Sequence, residues 1–371
     1  MDYRRDAEKL ETTSFEIASS NHTPIRLPHC LVTCGSLVEL KLQFKDQSCV
    51  VELPIYPEFS SLKCLDLHMI EFLDSNLLKN FISICPVIES LKMESCLFGD
   101  FKILEIFSTS LKNLILDTGD FSEPNCDGLA NCEIKVACPS LVSFYFYTAS
   151  TWNFTFQDLN SLQAGFISYC FPPKHATSEE CHYVMSKILK GLHNVQVLKL
   201  PVGFLRFLPL TVAKPECSAA FCSLKSLKLL VSVDESDQST IQLLYRCPNL
   251  EALSIIFTRL EDWVDGAIPP SAIRPTWVIC GKSIPLTDSC KMPNEDISCL
   301  TYHLKKVELI NVAYNKNELE LVKFLLNNGH VLQKMIIKGR RFENHDKIIS
   351  KVMMFPRSSP DVVLKFYEPA I

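Results

Sequence analysis

One pattern of apolar residues recurs along nearly the whole chain. In residues 61–67, SLKCLDL, leucines stand at the relative positions i, i+3 and i+5. The last two leucines of this frame are two residues apart, so they share one face of a β-strand that is entered from a bend. The same frame occurs at nine further places: Leu37, Leu40, Leu42; Ile88, Leu91, Met93; Leu111, Leu114, Leu116; Leu141, Phe144, Phe146; Val195, Leu198, Leu200; Leu224, Leu227, Leu229; Leu250, Leu253, Ile255; Leu304, Val307, Leu309; and Leu332, Met335, Ile337.

The spacing between the copies limits the fold further. The first four copies begin at residues 37, 62, 88 and 111, which are 25, 26 and 23 residues apart. This spacing lies within the range of about 20–29 residues that is typical of leucine-rich repeats. Because each repeat of such a protein packs only on its neighbours, a chain of 371 residues needs no single large core. The sequence therefore predicts an α/β leucine-rich-repeat solenoid, a horseshoe of parallel strands joined by helices or irregular turns.

Breaks in the pattern divide the chain into four parts. Residues 1–24 carry no period, which predicts a disordered or frayed lead-in, and the repeats occupy residues 25–260. Several prolines then interrupt any regular pattern, so residues 261–299 are predicted to form an irregular connector. Residues 300–369, with two further copies of the frame, are predicted to form a C-terminal α/β unit.

Local signals predict where helices begin and end. Asn317, followed by Glu320 three residues later, has the pattern of a helix cap. A Cys-Pro pair precedes the frame at Cys85, Cys138 and Cys247. Proline cannot continue a helix and favours extended geometry in the residue before it, so each pair predicts a stop before a strand. The cysteine itself is predicted to be a small buried residue.

Composition excludes some classes of function. A formal net charge of −5 provides no overall positive field for binding phosphates, so nucleic acid is not expected as the main partner. The charged start has no apolar segment of a secretory signal, and no apolar run approaches the roughly 18–20 residues that span a bilayer. The count of cysteines is odd, at 17, and their spacing is scattered, which indicates reduced thiols. We therefore expect a protein of the cytoplasm, the nucleus or both, without membrane contact.

The sequence contains no motif that indicates catalysis. It lacks a Gly-x-x-x-x-Gly-Lys phosphate loop, a Gly-x-Ser-x-Gly elbow and a His-Glu-x-x-His metal helix. Three sets of cysteine and histidine residues lack the short paired spacing of a zinc site. We therefore expect no catalytic residue, no cofactor, no metal and no enzymatic activity. The three sets are Cys126, Cys132, Cys138; His175, Cys181, His182; and Cys280, Cys290, Cys299.

The strand positions between the buried leucines provide the candidate binding residues. In a horseshoe these positions lie on the concave face, where a mixed-charge strip with two tyrosines is suited to binding a protein. Phe144 and Phe146 are expected to point inward, and the tyrosines that follow them outward. Each of these polar residues alone also fits an ordinary solvated position. The candidates are Asp66, His68, Lys92, Glu94, Asp117, Tyr145, Tyr147 and Lys199.

Several segments in this order resemble one known family. In its N-terminal part the chain has Leu27-Pro28 and then TCGSLVELKL at 33–42, SLKCLDL at 61–67 and CPVIESL at 85–91, ending near Cys96. Its C-terminal part has LKKV at 304–307, NELELVKFLLNN at 317–328 and VLQKM at 331–335. Together these segments resemble the plant F-box proteins that carry leucine-rich repeats and a C-terminal FBD domain. The resemblance covers about residues 25 to 369.

The resemblance implies a role in protein recognition. In that family the repeats hold a substrate protein, while an N-terminal F-box docks on the Skp-type adaptor of a cullin ubiquitin ligase. The lead-in of residues 1–24 does not have the helical, Leu-Pro-rich pattern of an F-box. The chain is thus predicted to resemble the substrate-recognition part of such a receptor without a recognisable F-box, and binding to the adaptor and cullin does not follow from its residues. The alternative is an F-box-less or degenerate member that binds a partner without ubiquitin-ligase function.

Overall fold

The described residues divide into two units between the α-helical residue Gly191 and Leu192. One contains the described residues up to Gly191, and the other those from Leu192 onwards. The computed structural model describes residues 12–17, 24–27, 31, 33–44, 49–52, 59–73, 75–98, 101–117, 132–148, 153–169, 178–201, 221–232, 237–258, 296–340 and 345–367.

The first unit consists mainly of short β-strands. Its described helices are α1, Ser75–Ser83, and α2, Ser178–Gly191. Its strands are β1 Thr12–Ile17, β2 Ile25–Arg26, β3 Glu39–Phe44, β4 Cys49–Glu52, β5 Cys64–His68, β6 Ile70–Glu71, β7 Ser90–Glu94, β8 Ile103–Phe107, β9 Asn113–Asp117, β10 Glu133–Ala137, β11 Ser143–Thr148, β12 Asn153–Gln157 and β13 Ala164–Tyr169.

Strands of this unit pair in parallel, each with the equivalent strand of the next repeat. The odd-numbered strands form one sheet in the order β1-β3-β5-β7-β9-β11-β13. The even-numbered strands form two smaller sheets, β2-β4-β6 and β8-β10-β12. Each full repeat therefore contributes to a main sheet and, on its return path, to a second one.

The second unit has more helix. It contains α3 Asp237–Tyr245, α4 Ser298–Tyr302, α5 Lys316–Asn328 and α6 His345–Met353, of which α5 contacts the other three. Its strands pair in parallel in chain order. They are β14 Val197–Pro201, β15 Ser226–Ser232, β16 Ala252–Thr258, β17 Lys306–Val312, β18 Lys334–Gly339 and β19 Val363–Tyr367.

The apolar frame forms the core of both units. In all ten copies the three frame side chains are no more than 3% exposed. A weaker copy at Leu162, Gly165 and Ile167 keeps the same frame in β13, and its two larger side chains are also buried. Each fully buried aliphatic side chain stabilises the fold by about 1.5–3 kcal/mol. The predicted α/β leucine-rich-repeat fold is confirmed.

The Cys-Pro pairs act as turns that place the first frame residue. The N–H groups of Ile88, Leu141 and Leu250 donate to the carbonyls of Cys85, Cys138 and Cys247, three residues earlier, at 3.2, 3.0 and 3.3 Å respectively. Proline is favoured at the second position of such a turn. The three cysteines are no more than 1% exposed, so the packing role predicted for them is confirmed.

The cap of helix α5 differs from the prediction. Asn315, not Asn317, is the cap: its Oδ1 accepts from the Glu318 N–H at 2.8 Å, and its own N–H donates to Glu318 Oε2 at 3.2 Å. Glu318 is only 2% exposed, so this carboxylate closes the helix start inside the unit. Gly329 ends the helix as expected, with its N–H donating to the carbonyl of Leu325 at 2.9 Å.

Two of the four predicted segments can be compared with the structure. Within the predicted lead-in of residues 1–24, Thr12–Ile17 form β1, which pairs in parallel with β3, so this part is ordered as a strand rather than frayed. Most of the predicted connector, residues 261–295, lies outside the described residues. The division into 25–260, 261–299 and 300–369 stays a prediction.

Truncating one frame leucine tests the importance of the frame. Leu65 is 1% exposed, so Leu65→Ala removes buried contacts and leaves a cavity. We expect the free energy of unfolding in urea to fall by about 2–5 kcal/mol. Lys63→Ala, two residues away on a side chain that is 54% exposed, should change it by no more than about 0.5 kcal/mol. Equal effects of the two substitutions would contradict the assigned frame.

Candidate protein-binding face

Seven of the eight candidate residues come together on one face of the first unit. In the main sheet Asp66 pairs with Lys92, while His68, Glu94 and Asp117 follow one another on β5, β7 and β9. Neighbouring parallel strands lie about 4.8 Å apart, so these side chains form two adjacent rows on the side opposite the leucine frame. We call this the first-unit face. It consists of Asp66, Lys92, Ile115 and Tyr145 in one row and His68, Glu94, Asp117 and Tyr147 in the other.

Lys92 lies at the centre of the charges on the first-unit face. Its Nζ is 2.8 Å from Glu94 Oε2 and 3.8 Å from Asp66 Oδ2. Partial burial lowers the pKa of Lys92, but the hydrogen bond to Glu94 and the charge of Asp66 outweigh it and raise the pKa overall. Burial raises the pKa of Asp66, although Lys92 opposes this. The carboxylates Asp66, Glu94 and Asp117 therefore outnumber Lys92, and the neighbouring Lys41 on β3 is itself paired with Glu39 at 3.1 Å.

His68 has an unsatisfied polar atom on this face. Its Nδ1 is buried and forms no hydrogen bond within the described part of the chain. A buried polar atom left unpaired costs about 1–3 kcal/mol.

The two tyrosines are in different environments. Tyr145 is partly exposed, its ring centroid is 6.5 Å from that of Phe166, and burial together with Asp117 and Glu94 raises its pKa to about 12. Tyr147 is only 5% exposed, so the expectation that it faces solvent was wrong. The alternation along β11 correctly gives the direction of Tyr147. Its burial is decided by neighbouring groups, which the alternation does not encode.

Lys199 does not join the other candidates, because it lies on β14 of the second unit. Its register partner there is Lys228 on β15, which the candidate set did not include. Burial and the nearby charge of Lys228 lower the pKa of Lys199. Applying the strand alternation to every repeat would have found Lys228, because the two lysines occupy the same position of the frame.

The described residues also bear on metal, membrane and small-molecule binding. In the part of the chain that the structure describes, no three His, Cys, Asp or Glu side chains are placed to hold a metal ion. The described helices include none that is long and apolar enough to cross a membrane. A cavity of about 20 Å³ beside Leu42, Leu67 and Phe81 is too small for an organic ligand.

The repeated frame, the parallel pairing and the polar rows define a leucine-rich-repeat protein. Comparison with known families agrees: the leucine-rich repeats of FBD-associated F-box protein At5g56370 match residues 4–129, and the FBD family matches residues 293–337. Both matches point to the plant F-box proteins with leucine-rich repeats and an FBD domain, so the resemblance seen in the sequence is confirmed.

Individual relatives come from Arabidopsis thaliana. F-box/FBD/LRR-repeat protein At5g56420 is 39% identical over 26% of this chain, and the putative F-box/FBD/LRR-repeat protein At4g13965 is 23% identical over 87% of it. The probable FBD-associated F-box protein At1g32375 is 23% identical over 98% of this chain. The matches span 22%, 65% and 77% of the lengths of these three relatives.

The raised pKa of Asp66 predicts a pH-dependent effect of neutralising it. A carboxyl group whose pKa rises on folding contributes its full stability below the unfolded value of 3.8 and loses it as the pH rises through the folded value. Asp66→Asn should therefore be more stable than the parent at pH 7, and the difference should shrink towards pH 4. Urea unfolding between pH 4 and 7 measures this difference.

Glu89→Gln is the matched control for this test. A hydrogen bond from Lys112 lowers the pKa of Glu89, so its stabilisation is present above the unfolded value of 4.5 and is lost as the pH falls. This variant should be less stable than the parent at pH 7. If Asp66→Asn is also less stable at pH 7, then the pairing with Lys92 outweighs the burial of Asp66.

Proposed function

We propose that this chain is a non-enzymatic protein-interaction module whose first-unit face holds a substrate protein for an SCF-type ubiquitin ligase. The observation that carries the proposal is the alignment of charged and aromatic side chains on that face. These side chains project from a parallel sheet whose other side packs against the leucine core. Preorganised side chains of mixed type are suited to protein recognition.

The groups on the face indicate what a partner has to offer. Asp66 and Glu94 both lie beside Lys92, so this part of the face has more negative than positive charge. Tyr145 is a half-buried aromatic residue, a type enriched among residues that contribute most to binding energy. A suitable partner segment carries a cationic side chain for the carboxylates and an apolar side chain for the ring.

The thiols support a role without catalysis. Burial raises the pKa of Cys85 and Cys96 to about 12, and that of Cys132 and Cys138 to about 11. The thiolate is the nucleophilic form of cysteine, so these thiols are unreactive near neutral pH. Among the described cysteines none forms a disulfide and most are buried, which also suits a reducing compartment such as the cytoplasm or the nucleus.

The link to ubiquitin transfer comes from the relatives. The Arabidopsis thaliana relatives are named as F-box proteins, and an F-box docks on a Skp-type adaptor of a cullin ligase. We propose the same assembly for this chain. The second candidate is a family member that binds the partner but takes no part in ubiquitin transfer.

A triple substitution tests the binding face. Asp66→Ala, Lys92→Ala and Tyr145→Ala together remove the central charges and the ring, while the leucine frame stays intact. We expect the proteins captured from plant extract by the tagged parent chain to be reduced at least about tenfold, as is typical when residues central to an interface are truncated. Quantitative mass spectrometry measures the loss.

The matched control carries the same kinds of change on another surface of the same unit. Glu105→Ala, Lys135→Ala and Phe107→Ala remove an acid, a base and an aromatic ring from the sheet β8-β10-β12. This variant should capture the partner as the parent does. Equal capture by both variants would exclude the first-unit face as the binding surface.

The ligase role has a separate test. Purified chain and purified Skp-type adaptor are mixed, and isothermal titration calorimetry measures their binding. The ligase role requires a surface that replaces the F-box pattern missing from residues 1–24, so adaptor binding together with co-capture of a cullin from extract is the result that this role demands. Capture of a substrate that depends on the first-unit face, without adaptor binding, would favour the second candidate.

A further inference from the structure

The second unit carries a lysine-rich surface on the side of its sheet opposite the leucine frame. Strand alternation places six lysines there with a single glutamate, Glu308, among the described residues, although the chain as a whole has a net charge of −5. Acidic residues are thus concentrated elsewhere in the chain. We call this surface the lysine face: Lys199, Lys228, Lys306, Lys334, Lys338 and Lys365.

Lysines on this face are direct neighbours across strands. Lys199 pairs in register with Lys228, and Lys306 pairs with Lys334. Parallel strands are about 4.8 Å apart, and like charges directly opposite each other destabilise a sheet. The fold therefore tolerates two repulsive pairs on one face.

Only part of this charge is neutralised by the chain. Glu308 pairs with Lys338 at 2.8 Å and with Lys306 at 3.7 Å, and the hydrogen bond from Lys338 lowers the pKa of Glu308. Within the described residues, Lys199 and Lys228 form no ion pair, and both are half-buried. The ammonium group of Lys199 has lost part of its hydration without an ion-pair partner in the described chain, and Lys228 acts on Glu308 only at longer range, without forming an ion pair.

A short apolar row lies beside the lysines. Leu230, Ile256 and Ile310 follow Lys228, Ser254 and Glu308 by two residues, so they lie on the same face, and they are neighbours in register on β15, β16 and β17. All three are only half-buried. The lysine face therefore offers positive charge and apolar surface side by side.

We propose that the lysine face binds a protein segment in which acidic side chains are interspersed with apolar ones. Its carboxylates would pair with Lys199 and Lys228, which lack carboxylate partners in the described chain, and its apolar side chains would cover Leu230, Ile256 and Ile310. This surface belongs to the second unit and does not depend on the function proposed for the first-unit face.

A nucleic acid fits these features less well. The phosphate backbone gains nothing from a row of aliphatic side chains, and a glutamate in the middle of the face repels it. Single-stranded nucleic acids bind mainly through aromatic stacking, whereas the row beside these lysines is aliphatic. An oligonucleotide therefore serves as the competing probe.

Fluorescence anisotropy with the full chain tests the proposal. The probe is a fluorescein-labelled peptide of 14 residues containing six glutamates, three leucines and five serines. We expect saturable binding that weakens with added salt. Lys199→Gln with Lys228→Gln should raise the Kd at least about tenfold, because two charge-assisted hydrogen bonds are lost.

The control variant changes two exposed lysines on helix α5, Lys316→Gln and Lys323→Gln. Its net charge equals that of the test variant, so it separates the lysine face from a general charge effect. Two control peptides replace either the glutamates by glutamines or the leucines by serines, and both should bind more weakly. Circular dichroism should show that both variants are folded.

Several results would overturn the proposal. Equal affinity of the two lysine variants would exclude Lys199 and Lys228 as the binding residues. Binding of a 14-nucleotide single-stranded DNA as tight as that of the peptide, together with no effect of removing the leucines, would show a surface for any polyanion. A dimer of the chain in light scattering that Lys199→Gln and Lys228→Gln abolish would show a second copy as the occupant.

Discussion

The fold depends on apolar triplets that no single repeat can bury. Leu62, Leu65 and Leu67 are shielded because the strands on either side carry the same triplet in register. The entry to each strand has a matching backbone contact: the carbonyl of Lys63 accepts from the N–H groups of both Glu89 and Ser90, at 2.8 and 2.9 Å. Buried apolar surface supplies the stability, and the shared carbonyl fixes the register.

Because neighbouring strands pair in register, the position of a residue within its repeat decides where its side chain lies on the sheet. Residues between the frame positions point away from the core, so side chains 21–30 residues apart in the first unit become neighbours about 4.8 Å apart. A single substitution in one repeat therefore changes one place in a row and leaves the core untouched. This explains why two faces of one repeating fold carry different charge, with carboxylates around Lys92 and with neighbouring lysines at Lys199 and Lys228.

The structural features that follow from the repeat period were predicted correctly from the sequence. The frame, the Cys-Pro turns and the direction of Asp66 or Lys92 follow from spacing and alternation alone. The cap of α5 does not follow from spacing alone, because Asn315 and Asn317 are each followed three residues later by a glutamate, at Glu318 and Glu320. Both satisfy the local pattern, and packing within the second unit buries Glu318. Burial of Tyr147 likewise depends on neighbours that no local pattern encodes.

Stability and recognition are therefore carried by different residues of the same strand. A buried frame side chain contributes about 1.5–3 kcal/mol, whereas an exposed ion pair contributes about 0–1 kcal/mol. A repulsive pair such as Lys306 beside Lys334 is thus a small cost against the frame residues Val307 and Met335 beneath it. Because the core tolerates such pairs, the charge of each face is free to be set by what it binds.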